Sequence, residues 1–280
     1  MIAMKAETLF WIVHLPLMVF FLVGMGFVVR LWLRGYIHYR VETTTTWHKI
    51  KTLLKCVFKI VFSLEIFLIL KYFIIDVWFN YRLWQNNRWR WLNHFLLLTG
   101  FMLLTILSTA SVLSDKIFNP YFHLNLIWSN QDNPIVAILN EVGGLLMSMG
   151  LLFFLIRRFV PHRNQSRTGF IDDWMIFSLA FIMLSGWTTE IVRLNSSCVQ
   201  TTAQFRFIGS FIAHKIITLH INWDSAYNLM FIAHGLFASL VIASIPFSKF
   251  VHSIAGSLII LIRKYQDRRI VKKEETYDLI

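Results

Sequence analysis

The apolar positions of this chain gather in long blocks rather than in the one-sided stripe of a soluble helix. Leu9 to Val29 is uncharged and ends at Arg30 and Arg34. Trp91 to Ser114 carries no charge, Ile135 to Ile156 is interrupted only by Glu141, and Trp174 to Thr189 leads into Glu190 and Arg193. No formal charge falls between Asp224 and Lys249. A helix needs roughly 20 such residues to cross hydrocarbon. The blocks therefore predict an all-α membrane protein with spans at about residues 9–32, 91–114, 135–156, 171–192 and 225–250.

The polar stretches between them are breaks and surface pieces. Asn119-Pro120 and Asn133-Pro134 mark a loop, Pro161 to Gly169 is a short basic one, and Leu194 to Asn222 is longer, with a surface helix expected around Phe205 to Ile217. His48 to Asn80 is ambiguous. Lys51, Lys55 and Lys59 recur every four residues, which predicts an amphipathic helix lying at the interface, yet Ile60 to Phe79 is apolar enough to resemble a sixth span. A charged tail follows Ile262, giving a membrane domain over 1–262 and a tail over 263–280.

Charge counting decides between five and six. With five spans, 22 of the 27 Lys and Arg fall on one side and 5 on the other. That asymmetry puts the N-terminus outside and the C-terminus in the cytoplasm, with the insert at the cytoplasmic interface; a sixth span would turn a basic cluster outward. The net charge of +12 is thus a matter of orientation and does not call for nucleic acid. The start lacks a basic region and an A-x-A-like site, so the first block is expected to remain as a span. Cys56 and Cys198 give neither a disulfide framework nor a C-x-x-C-H motif, so any haem would be held noncovalently.

Histidines carry the candidate chemistry. His14, His94 and His234 stand inside apolar blocks, and His252 ends the last one. On an unbroken helix the 18 residues from His234 to His252 make about five turns, placing both imidazoles on one face about 27 Å apart, close to the hydrocarbon thickness. By depth, His94 and His252 are expected near the cytoplasmic face, and His14 and His234 toward the outer one. An imidazole in lipid is costly unless it binds something. Each could bond a neighbouring helix through Ser, Thr or a carbonyl, or two from facing helices could form the axial pair of a low-spin haem b, with Arg88, Arg90 or Lys249 reaching its propionates.

The run from Asn228 to Tyr265 resembles the last helix of the gamma subunit of respiratory nitrate reductase, a membrane di-haem cytochrome b. Its H-(17 residues)-H spacing matches, as does the ending Pro246-Phe247-Ser248-Lys249-Phe250-Val251-His252. The segment Ile156 to Arg163 and the Asn93-His94-Phe95 start of the second span are similar but less specific. The insert from Tyr39 to Arg90 makes the resemblance better to the branch that serves heterodisulfide reductase and the sulfite-reduction-linked membrane complex.

The resemblance implies two noncovalent haems b stacked across a prokaryotic cell membrane. His94 and His252 would bind the cytoplasmic-side haem and His234 the outer one. The family's second outer ligand falls on Leu104, which cannot ligate. Either His234 holds that iron alone or another residue replaces the missing ligand, with His14 the first candidate. Glu141, just inside the third span, would accept a proton from a quinol or would pair with Arg193 or Arg206; Glu190 has the same two readings. His123, His214 and His220 are expected in outer loops, and His38, His48 and His162 at the cytoplasmic surface.

The function implied is an electron-transfer subunit of a quinol-linked oxidoreductase complex. It would pass electrons between a quinol, or a methanophenazine-like carrier, and an iron-sulfur subunit at the cytoplasmic face, docked on the insert and the basic tail. This chain has no cysteine cluster of its own, so terminal reduction would occur in that partner. The alternative is a cofactor-free transporter or scaffold whose histidines bond helices or relay protons.

Overall fold

The structure, a computed structural model, describes residues 2–34, 46–159, 170–196 and 205–277, and among them there are helices and no strands. Five helices are long and apolar enough to cross a membrane: Glu7–Trp32, Arg88–Phe122, Pro134–Ile156, Asp173–Asn195 and Trp223–Phe247. Their outward faces are apolar, from Leu22 and Val23 on the first to Leu229 and Leu240 on the last, as lipid rather than water requires. The protein is an integral membrane protein.

The chain divides into two compact units. The first comprises Met1–His14 and Asn86–Val241. It holds the start of α1 (Ile2–Arg34), then α5 (Arg88–Leu113), α6 (Asn119–Phe122), α7 (Pro134–Phe159), α8 (Phe170–Asn195), α9 (Phe207–Ile216) and most of α10 (Trp223–Ser244). Asn87 caps α5 by accepting from the Arg90 N–H at 2.9 Å, and Asn133 does so for α7 from Ile135 at 3.0 Å, with Pro134 in the first turn where no N–H is needed. The second span runs on past Ser114 through a π-helical turn, Ser114–Phe118, into α6, because Asn119-Pro120 opens a helical turn instead of breaking one. His123 ends it in the left-handed region, at φ 54°, its N–H bonded to Asn119 O.

Glycines set how closely α5 and α7 pack. A Cβ on Gly150 would fall 2.5 Å from Leu97 N, and one on Gly100 would strike Met147 N. Lipid gives no hydrophobic drive for helix association, so backbone approach through small residues takes its place. Leu104 lies across Gly143 in the same seam, 3.0 Å from a Cβ built there. The expected surface helix is α9, and it packs inward: Gly209 and Ala213 are buried, and the Asn195 side chain donates to Ala213 O at 3.0 Å.

The second unit comprises Leu15–Gln85 and Ile242–Ile280. It contains the rest of α1, then α2 (Thr46–Val61), α3 (Glu65–Tyr72), a π-helical stretch Phe73–Trp78, α4 (Tyr81–Asn86) and α11 (Val251–Tyr277). Lys51, Lys55 and Lys59 are exposed on α2, as the four-residue spacing predicts. The apolar run from Ile60 to Phe79 is cut at Ser63, whose hydroxyl accepts from the Glu65 N–H and starts α3 afresh. Neither piece then has the length to cross hydrocarbon, and five candidate spans result. The insert and the C-terminal helix meet in this unit: Tyr265 donates to Glu65, and Lys264 pairs with Asp76 at 3.2 Å.

The single helix expected from Trp223 to His252 is two helices. α10 stops at Ser244 and Ile245–Phe247 forms a 3₁₀ turn around Pro246, which has no N–H to continue the α-helical ladder. Ser248 is extended and its hydroxyl accepts from the Phe250 N–H, opening α11. His252 therefore falls in the first turn of a new helix, and the one-face, five-turn geometry does not apply. Its side chain lies outside the described residues, as do His38 and His162.

Candidate functional site

Two imidazoles are fixed inside the first unit. His234 on α10 meets Ser185 on α8, with Nδ1 and Oγ 2.8 Å apart. His14 on α1 meets Ser239 on α10, Nδ1 to Oγ 2.7 Å. Each serine donates its one hydroxyl hydrogen to the carbonyl a turn back on its own helix: Ser185 to Phe181 O and Ser239 to Gly235 O, both at 2.6 Å. The hydroxyl oxygens can then only accept. This arrangement suits the Nδ1–H tautomer of each ring, in which Nε2 keeps the lone pair.

The same device recurs where the tautomer is not in question. Trp187 can only donate, and its Nε1–H goes to Ser148 Oγ at 3.0 Å while Ser148 donates to Gly144 O at 2.6 Å. Thus α7, α8 and α10 and the start of α1 are joined by serines that spend their own proton locally and receive one from another helix.

Small residues shape the space around the rings. A Cβ at Gly186 would lie 3.3 Å from His234 Cε1, so the imidazole rests across the glycine. Phe10 stacks on His14, with centroids 4.9 Å apart at 22°, and fills the gap left at Gly235. Ser239 is five residues beyond His234, about 7.5 Å of helix rise. The two histidines are thus brought to one stretch of α10, each on its own serine. Among the described residues neither Nε2 has a hydrogen-bond partner.

A metal-bound imidazole uses one nitrogen for the metal and donates the N–H of the other to an anchoring acceptor. Among the described residues no three His, Cys, Asp or Glu side chains gather around either imidazole.

His94 is exposed on α5, near its Arg88 end, with Arg88 and Arg90 exposed beside it. Leu104, ten residues on, is occupied against Gly143, which leaves that position without ligand chemistry. Lys249 is exposed in the turn before α11.

The acid on α7 has neither of the ion-pair partners expected for it. Glu141 is 2% exposed; its Oε1 accepts from the Gly209 N–H at 3.0 Å, and its Oε2 has no partner among the described residues. The cations go elsewhere. Arg193 binds Asp132 at 3.0 Å and Glu190 at 3.2 Å, while Arg206, 1% exposed, binds Glu190 and the Gln131 carbonyl. Burial presses the Arg206 guanidinium below its ordinary value, and the Glu190 charge pulls it back up. Sequence reading singled out Glu141 and Glu190 but missed Asp132 as their companion and Ser185, Gly186 and Ser239 around the rings. A serine or glycine on an apolar span is the only signal for these last, and it recurs too often to be specific.

Comparison with curated proteins and with solved structures yields no match. Residues 117–271, more than half of the chain, match the family described as nitrate reductase gamma subunit. The chain belongs to that family, whose members are haem-containing membrane subunits that transfer electrons within multi-subunit redox complexes.

Proposed function

We propose that this chain is a haem b subunit passing electrons between a membrane quinol, or a methanophenazine-like lipid-soluble carrier, and an iron-sulfur subunit at the cytoplasmic face. The observation that carries the reading is His234: Ser185 fixes its Nδ1–H and leaves its Nε2 lone pair unpartnered in the membrane. When bound there, haem b supplies a one-electron acceptor and donor within the membrane. Ser185 holds the ring, and Gly186 keeps the space beside it free of a side chain.

His14 is the proposed second ligand at this site, since it repeats the His234 arrangement on Ser239 and Leu104 has no ligand atom. His94 and His252 are proposed for the other haem on the family resemblance alone. The charge distribution supports an N-terminus outside, so that His94 and His252 serve the cytoplasmic-side haem and His234 the outer one. The insert, bonded to α11 through Glu65 and Asp76, is the proposed docking face for the iron-sulfur partner. It also favours the branch that serves heterodisulfide reductase and the sulfite-reduction-linked complex.

A dithionite-reduced minus oxidised spectrum of the purified chain, taken with electron paramagnetic resonance, tests the reading. Two haem b contributions are expected. His234→Ala should delete one and His252→Ala the other, while His14→Ala should turn one low-spin signal high-spin. A stably folded, colourless protein would overturn the assignment, and an unchanged low-spin spectrum in His14→Ala would remove His14 from the ligand set.

A further inference from the structure

Among the described residues the charged groups around Glu141 include more carboxyls than cations. Two guanidinium groups, Arg193 and Arg206, answer two carboxylates, Asp132 and Glu190. Glu141 is a third carboxyl with no cation of its own among the described residues and one oxygen unpartnered. Leaving a buried polar atom unmade costs about 1–3 kcal/mol, and more for a charged group. An acid kept under that penalty inside a membrane span points to a role for its proton.

The surroundings give that proton somewhere to go. A Cβ on residue 209 would lie 2.9 Å from Glu141 Oε1, 3.1 Å from Leu194 Cδ1 and 3.6 Å from Glu190 Cγ, so the two carboxyl side chains pack against the same glycine. Exposure rises along the cluster, from 2% for Glu141 to side-chain values of 13% for Glu190 and 27% for Asp132. The cluster also adjoins the haem ligand: Glu190 is five residues from Ser185 on α8, about 7.5 Å of rise. Charged groups reach it from the loop before α7 (Asp132), from α8 (Glu190, Arg193) and from the segment before α9 (Arg206).

We propose that Glu141 is the proton acceptor when the lipid-soluble carrier is oxidised, and that Glu190 and Asp132 lead that proton to the surface. The inference rests on the reading above, in which a hydroxylated aromatic carrier delivers electrons to haem b. Oxidising the two-electron carrier breaks its two O–H bonds; Glu141 Oε2 would take up the protons one after the other, each as a new O–H bond, and haem b, when bound, would accept the electrons singly. The proton then passes from Glu141 to Glu190, which packs against the same glycine, and the Glu141 carboxylate is restored. Arg193 and Arg206 hold Glu190 and Asp132 in place and cancel their charge, so the cluster's net charge changes by one with each proton carried.

The test uses the full chain in its membranes, with menadiol as reductant and haem absorbance as the readout. Glu141→Gln should keep the dithionite-reduced spectrum and slow menadiol-driven reduction on the order of 100-fold, the range for loss of a positioned base. Glu141→Asp, which returns a carboxylate, should recover part of the rate. Asp132→Asn should delay proton appearance, followed with a pH-indicator dye, without changing the spectrum. Reduction of Glu141→Gln at the native rate overturns the proposal, and so does loss of the spectrum in both Glu141 variants, which makes the residue structural. If the unaltered protein has no haem, or has haem that dithionite reduces and menadiol does not, it is the carrier reading that fails.

Discussion

A serine hydroxyl in a membrane helix ordinarily satisfies itself on the carbonyl a turn back, and that habit gives Ser185 and Ser239 their effect on the histidines. With its hydrogen committed, each oxygen is placed to receive an imidazole N–H, which would leave the lone pair on the other ring nitrogen. Ser185→Ala removes the acceptor and leaves Nδ1–H unbonded beside Gly186. Haem affinity of the apoprotein is expected to fall about 10–100-fold, measured by haem titration, and Ser185→Thr should restore it by returning the hydroxyl. If Ser185→Ala binds haem as tightly as the unaltered chain, the serine has no part in holding the ligand. His234 was legible in the sequence because an imidazole in lipid stands out chemically. Ser185 was not, because its role depends on which turn of α8 meets α10.

Between α5 and α7 the contact is made by backbone as much as by side chains, which makes it intolerant of small additions. In Gly150→Ala the new Cβ would sit 2.5 Å from Leu97 N, an atom that cannot swing aside. A loss of about 1–3 kcal/mol is expected, seen as a lower unfolding temperature in detergent; Gly26→Ala, where a Cβ meets nothing within 4 Å, serves as the control. An equal effect at both positions would mean that the seam is looser than described. Block length located the spanning helices well, because length in lipid is a hard physical limit. Periodicity served less well at Pro246, since counting 18 residues as five turns assumes a ladder that this proline and the Ser248 cap interrupt.

At the scale of the whole chain, the orientation proposed from the charge distribution is open to a direct check. With five spans and the N-terminus outside, cysteines placed at Tyr72 and Arg82 should react with a membrane-impermeant thiol reagent only from the cytoplasmic side. Labelling of Arg82→Cys from outside would reject that topology. The ion pairs were the least legible feature, because Asp132, Glu190, Arg193 and Arg206 come from segments up to 74 residues apart and charge counting is blind to their pairing. The α5/α7 seam behaves in the opposite way. All its glycine contacts fall between Leu97 and Gly150, so the pairing needs nothing from Phe170 onward. A hairpin of neighbouring helices has a short loop to close, so the α5/α7 pair is expected to form ahead of the contacts that bring Ser185 and His234 together.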